Sequence, residues 1–126
     1  MEKKYHHSVK CKGYYFSRMN RAKIKGIGYS VPDRIVTNSE LEKYMDTSDE
    51  WIQSRSGIKE RRWVAPGMGT SDLAIDASKK AIQMADIDPQ TIDLIIVGSL
   101  TSDYFFPGVS AQVQDALGIS PIGAFD

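Results

Sequence analysis

The chain has 126 residues, 16 Lys+Arg against 16 Asp+Glu, 41% apolar residues, one cysteine and two histidines. The length fits one globular domain, and no apolar run approaches the ~20 residues of a membrane-spanning helix. One cysteine and two histidines supply neither a disulfide framework nor a spaced set of metal ligands.

The zero net charge divides into two unlike parts. Residues 1–18 hold Lys3, Lys4, Lys10, Lys12 and Arg18 against Glu2, a net +4, whereas the remaining 11 basic and 15 acidic residues give residues 19–126 a net −4. Cys11, His6 and His7 all fall in the first part. It has no apolar core and no small-residue cleavage site, so it does not read as a secretory signal. Its charge would suit an anionic partner, but the simpler reading is an upstream extension, with Met19 as the natural start.

From residue 22 onward the elements follow in order. Ala22–Ser30 reads as a strand, and Val31–Arg34 as a turn, because the residue before Pro32 is pushed out of helical backbone. Thr37-x-x-Glu40 is a capping box that opens a short helix through Met45. Thr47-x-x-Glu50 is a second box, opening a helix through Arg55 that Gly57 closes. Ile58–Val64 alternates in polarity and reads as an exposed or edge strand, followed by a Pro-Gly-Met-Gly loop.

A long helix is expected from Thr70 to about Ala85, with Asp72 favoured in its first turn by the helix dipole. Ala74, Ala77, Ala81, Met84 and Ala85 recur at helical spacing, and the small residues on that face predict close packing against a neighbour. Ile92–Leu100 is a nearly continuous apolar run, the pattern of a strand buried on both faces. A helix from near Pro107 to Leu117 follows, stopped by Gly118, and Ile122–Phe125 begins another strand. Helix, strand, helix and strand in this order predict a layered α/β fold with parallel pairing.

Most chemical motifs are missing. There is no phosphate-cradling loop, and Gly26-Ile27-Gly28 lacks the third glycine of a dinucleotide fingerprint. Ser99 and Ser102 have no histidine in residues 19–126 to act as a base. Asp49 and Glu50 read as first-turn charges rather than a catalytic pair. One segment stands apart: Thr47, Trp51 and Arg55, at i, i+4 and i+8, share one side of a short helix. A flat aromatic ring beside a guanidinium suits an aromatic base carrying phosphates. From spacing alone the simpler reading, a capping Thr, a half-buried Trp and a surface Arg, is the favoured one.

Residues 46–62, DTSDEWIQSRSGIKERR, closely resemble the signature of the β-ketoacyl-acyl-carrier-protein synthase III family. The likeness extends to Gly26–Pro32, which looks like the family's first strand and turn, and to Val36–Leu41, which looks like the entry to its first helix. Phe105-Phe106-Pro107 is similar to its loop before a helix, and Gly123–Asp126 to the strand leading to its nucleophile. The motifs together span residues 21–126, and Met19 falls where family chains typically begin.

The resemblance implies a thiolase-like α/β fold built of two related halves. Residues 19–126 would form an incomplete N-terminal half, with layered helices and a mostly parallel sheet. The implied activity is that of an acyltransferase, condensing an acyl-CoA primer with malonyl-acyl carrier protein to begin type II fatty-acid synthesis. It implies a cytoplasmic homodimer with no cofactor, since acyl-CoA is a substrate, and neither nucleic acid nor membrane as a partner. Trp51 would stack on the CoA adenine, Thr47 would hydrogen-bond beside it, and Arg55 would hold the nucleotide portion. Phe106 would lie at the dimer interface and line the partner's acyl pocket.

The family's nucleophilic cysteine, activated at a helix N-terminus, would come a few residues after Asp126. The histidine and asparagine that bind the malonyl thioester would come from the second half. Cys11 matches no family position, so no residue of this chain is expected to be catalytic and none to bind metal. Asp86 stands where relatives often have glycine, a change that aspartate tolerates in left-handed backbone. A non-catalytic thiolase-like module that binds CoA or a partner, and a synthase III relative of secondary metabolism, are the alternatives.

Overall fold

The structure, a computed structural model, describes residues 22–126. The basic leader over residues 1–18, with Cys11, His6 and His7, and the start proposed at Met19 lie outside the described residues.

Strand β1 (Arg34–Thr37) runs directly into helix α1 (Asn38–Leu41). It pairs antiparallel with β2 (Glu60–Trp63), Val36 opposite Arg61, and forms a two-stranded ribbon. The alternating Ile58–Val64 segment is thus the exposed strand its pattern predicts, and its partner is a strand the sequence reading had assigned to a turn and a helix entry. The turn itself sits just upstream. Arg62 donates to the carbonyls of Pro32 and Asp33 and ties that bend to the ribbon. Helix α1 is one turn long rather than reaching Met45. Thr37 Oγ1 accepts from Glu40 N–H as the box predicts, but the Glu40 carboxylate pairs with Arg34 instead of returning to the cap.

Helix α2 (Asp49–Ser56) is capped by Ser48, whose Oγ accepts from Trp51 N–H at 3.1 Å, and Gly57 closes it at φ 71°. The cap therefore lies one residue later than the Thr47 box predicts. Either hydroxyl could serve, and the extended backbone at Ser48 is what aims its side chain at the free N–H groups.

Helix α3 (Thr70–Ala85) has the predicted bounds and ends at Asp86 in left-handed backbone, φ 51°. Residues 22–32 pair into neither sheet, so the strand expected at Ala22–Ser30 is not formed; its part from Gly26 to Ser30 lies against α3 instead. What holds the segment is contact with α3. A Cβ on Gly26 would come within 2.2 Å of Ala81 O, and one on Gly28 within 2.1 Å of Ala77 O. The alanine stripe and the two glycines let backbone approach backbone. Lys80 adds a hydrogen bond to Tyr29 O.

Strand β3 (Leu94–Ile96) and strand β4 (Gly123–Phe125) pair in parallel, with helix α4 (Val109–Ala116) between them in sequence. This is the β-α-β unit expected from the element order. Helix α4 packs on α3 and on both strands, and Val109 and Val113 are buried there with Ile119. Only three residues of the apolar run Ile92–Leu100 form the strand, and it is not buried on both faces: Leu94 is 50% and Ile96 74% exposed. Helices cover one side of this sheet, and no second layer lies on the other among the described residues. The sequence pattern describes a more complete sandwich than these residues build.

Helices α3 and α4 start alike. Each has a glycine at its cap, Gly69 or Gly108, with no side chain to accept from the free N–H groups. A carboxylate from after a strand takes that place. Asp103 accepts from Thr70 and Ser71 N–H at 2.6 and 2.7 Å, and Asp126 accepts from Ser110 N–H and Oγ at 3.0 and 2.7 Å. The loops after β3 and β4 are thereby pinned to the helix starts.

Candidate functional site

Trp51 and Arg55 stand side by side on α2. The Arg55 guanidinium carbon lies 5.6 Å from the centroid of the Trp51 ring, close enough for a cation–π contact. The ring is 57% exposed, so this contact leaves it open to a further planar group. Trp51 lines one depression with Asp46, Thr47 and Ser48, and another with Ser48, Glu50 and Ser54.

Thr47, displaced from the cap by Ser48, has its Oγ1 buried without a hydrogen-bond partner. A buried hydroxyl normally finds one, so Thr47 carries an unsatisfied polar atom in the wall of the first depression. Thr47, Trp51 and Arg55 are thus brought together, through Trp51 as their common neighbour. Phe106 sits apart from them, on the loop between β3 and α4, and is 90% exposed. Leu100, Tyr104 and Phe105 on the same loop are also exposed. Among the described residues no group of His, Cys, Asp and Glu side chains is arranged to hold a metal ion, and no helix is long and apolar enough to cross a membrane.

The sequence reading missed what anchors α2. Asn38, at the start of α1, is 1% exposed and makes three side-chain hydrogen bonds. Its Nδ2 donates to Asp49 Oδ1 at 2.7 Å and to Ile58 O at 2.8 Å, and its Oδ1 accepts from Arg61. Asp49 accepts in addition from Gln53 at 2.7 Å. Hydrogen bonds from Asn38 and Gln53 hold the Asp49 carboxyl below the usual aspartate range. The available signal was an asparagine directly after a strand and a capping threonine, in a position the ribbon covers.

No family model matches the chain. It is 49% identical over 106 residues, 84% of its length, to the beta-ketoacyl-acyl-carrier-protein synthase III of Bradyrhizobium sp.. The solved synthase III of Thermus thermophilus superposes on 82% of the chain with a TM-score of 0.75 at 39% identity. Over most of its length the chain is similar to these synthases III, of which it matches a part. It spans 33% of the Bradyrhizobium synthase and 32% of the Thermus one. The thiolase-like fold of the synthase III family extends to the priming β-ketosynthase of the R1128 polyketide pathway, with a TM-score of 0.73 at 30% identity over 82% of this chain and 32% of that one.

Proposed function

We propose that this chain is the nucleotide-binding part of a synthase III acyltransferase. The whole protein would join an acyl-CoA primer to malonyl-acyl carrier protein, releasing CoA and carbon dioxide, and so start type II fatty-acid synthesis in the cytoplasm. The observation that carries this reading is the 49% identity to a synthase III across 84% of the chain. The exposed Trp51 ring flanked by Arg55 is consistent with it.

In this reading Trp51 stacks on the adenine of the acyl-CoA. Arg55 places a permanent positive charge beside the ring, where the nucleotide phosphates carry negative charge. Thr47, in the wall of the depression that Trp51 also lines, hydrogen-bonds beside the adenine. Binding in this way fixes one end of a long substrate and reduces the entropy lost when the thioester reaches the reacting centre. Residues 19–126 contain no cysteine and no histidine, so the covalent and decarboxylating steps fall to residues outside them. No cofactor is required, since the primer brings its own activated thioester. Phe106, on an exposed apolar loop, would meet a second copy and reach its acyl pocket.

The test is to read the gene beyond the Asp126 codon and express the longest product. A cysteine codon within a few residues is expected, with carbon dioxide released from malonyl-acyl carrier protein only when acyl-CoA is supplied. A stop codon with no downstream remainder would favour a non-catalytic module that binds CoA or a partner. The likeness to the R1128 priming ketosynthase favours a second reading, a primer used for a secondary metabolite. Comparing acetyl-CoA with longer and branched primers separates the two.

A further inference from the structure

Helix α2 presents the stacking surface, yet apolar burial does not hold it in place. It has eight residues, none of them buried. Isolated helices shorter than about 12–15 residues are marginal in water, so α2 depends on what ties it to its surroundings. Those ties converge on one side chain.

Asn38 grips the chain on both sides of α2. At the front its Nδ2 donates to the carboxylate of Asp49, the first residue of the helix, at 2.7 Å. At the back it donates to Ile58 O at 2.8 Å, just past the closing Gly57, and its own backbone N–H donates to Lys59 O at 3.3 Å. Arg61 on β2 holds the remaining polar atom, Oδ1, which fixes the orientation of the amide. Both amide hydrogens and the oxygen are engaged at a site 1% exposed, where an unpaired polar group is costly. One further bond, from Asp49 N–H to Glu42 Oε1 at 3.1 Å, joins the helix start to the turn after α1.

We propose that Asn38 is the positioning residue of the nucleotide-binding helix, its buried amide clasping both ends of α2 so that Trp51 and Arg55 stand preset as one stacking surface. The clasp follows from the hydrogen bonds themselves. Its link to CoA rests on the function proposed above.

The test uses the full chain in a Trp63→Phe background, which leaves Trp51 as the sole tryptophan. Amide hydrogen exchange is followed in α2 and, as an internal control, in α3, together with the fluorescence anisotropy of Trp51. Asn38→Ala is expected to speed exchange in α2 roughly tenfold and to lower the Trp51 anisotropy, with α3 unchanged. Equal exchange and anisotropy in a folded Asn38→Ala variant overturn the proposal.

Asp49→Ala provides the second route, because it keeps the bonds from Asn38 to Ile58 and Arg61 and covers the case in which Asn38→Ala fails to fold. The same selective loosening of α2 is expected, and its absence overturns the proposal. Asp49→Asn retains an acceptor for Asn38 and is expected to restore α2 protection; no restoration also counts against the clasp. CoA titrations of the same variants report separately. A parent form of the longest gene product that binds no CoA, while α2 still loosens on cutting the clasp, removes the nucleotide reading and leaves the clasp standing.

Discussion

Trp51 and Asp103 show how single side chains are set to different tasks by their surroundings. Trp51 is left exposed beside a cation, so its ring is available to a ligand. On the function proposed above, replacing it with alanine is expected to weaken CoA binding by about 1–3 kcal/mol, the usual worth of an aromatic–base stack, as read by isothermal titration; equal affinities would take Trp51 out of the site. Asp103 is held instead by Ser71 and Thr70 at the start of α3. Those hydrogen bonds keep its carboxyl below the usual aspartate range, the Ser71 hydroxyl contributing most.

The folded state therefore binds the Asp103 proton less readily than the unfolded state, and stability rises with pH through this region. The contribution is full above the ordinary aspartate pKa of about 3.9 and is lost as pH falls through the lowered folded value. Asp103→Asn is thus expected to destabilise the chain at pH 7, with the gap to the parent closing on acidification below about pH 4. Urea unfolding at the two pH values checks this, and a gap independent of pH would show that the charge plays no part.

At the scale of elements, the packing of residues 26–30 on α3 depends on the absence of side chains. Gly28 has no room for a Cβ, which would lie 2.1 Å from Ala77 O and 2.6 Å from Ala81 N, both rigid helix backbone. Gly28→Ala is expected to cost about 1–3 kcal/mol, the range of an overpacked site, and to lower the thermal midpoint. Gly57→Ala serves as the comparison. There φ is 71° and nothing lies within 4 Å, so any loss comes from backbone strain alone. Should both variants behave alike, steric contact with α3 is not what makes Gly28 necessary.

The alanine spacing on α3 announced this close contact, and the helix bounds were legible with it, because a sixteen-residue amphipathic pattern carries its own period. The short β1–β2 ribbon was half legible. Alternation revealed β2, but β1 is four residues whose identity as a strand depends on the partner opposite them. The cap of α2 was misplaced by one residue because Thr47 and Ser48 are chemically equivalent caps, and backbone direction decides between them.

For the whole molecule, the parallel β3–β4 unit has helices on one side and exposed Leu94, Ile96 and Phe125 elsewhere, with a further apolar loop at Leu100, Tyr104, Phe105 and Phe106. Contiguous exposed apolar surface of this kind marks association sites, and unpaired sheet edges add to it. The chain by itself is expected to sediment as more than a monomer, and Phe105→Ser with Phe106→Ser is expected to reduce the association. Sedimentation as a monomer would instead support a self-sufficient module.

The sequence by itself determined the order of elements, the parallel β-α-β arrangement, the family likeness and the candidate trio Thr47, Trp51 and Arg55. Each is written in local periods, caps or short motifs. Only the tertiary structure decided which hydroxyl caps α2, that Asp103 and Asp126 complete the starts of α3 and α4, and that Asn38 clasps both ends of the helix bearing Trp51. The choice of cap is local and turns on backbone direction at Ser48, whereas the others are hydrogen bonds between residues distant in the chain, from 11 positions for Asn38 and Asp49 to 33 for Thr70 and Asp103. No local pattern encodes such a pairing, because it comes into being only when the backbone brings donor and acceptor within about 3 Å.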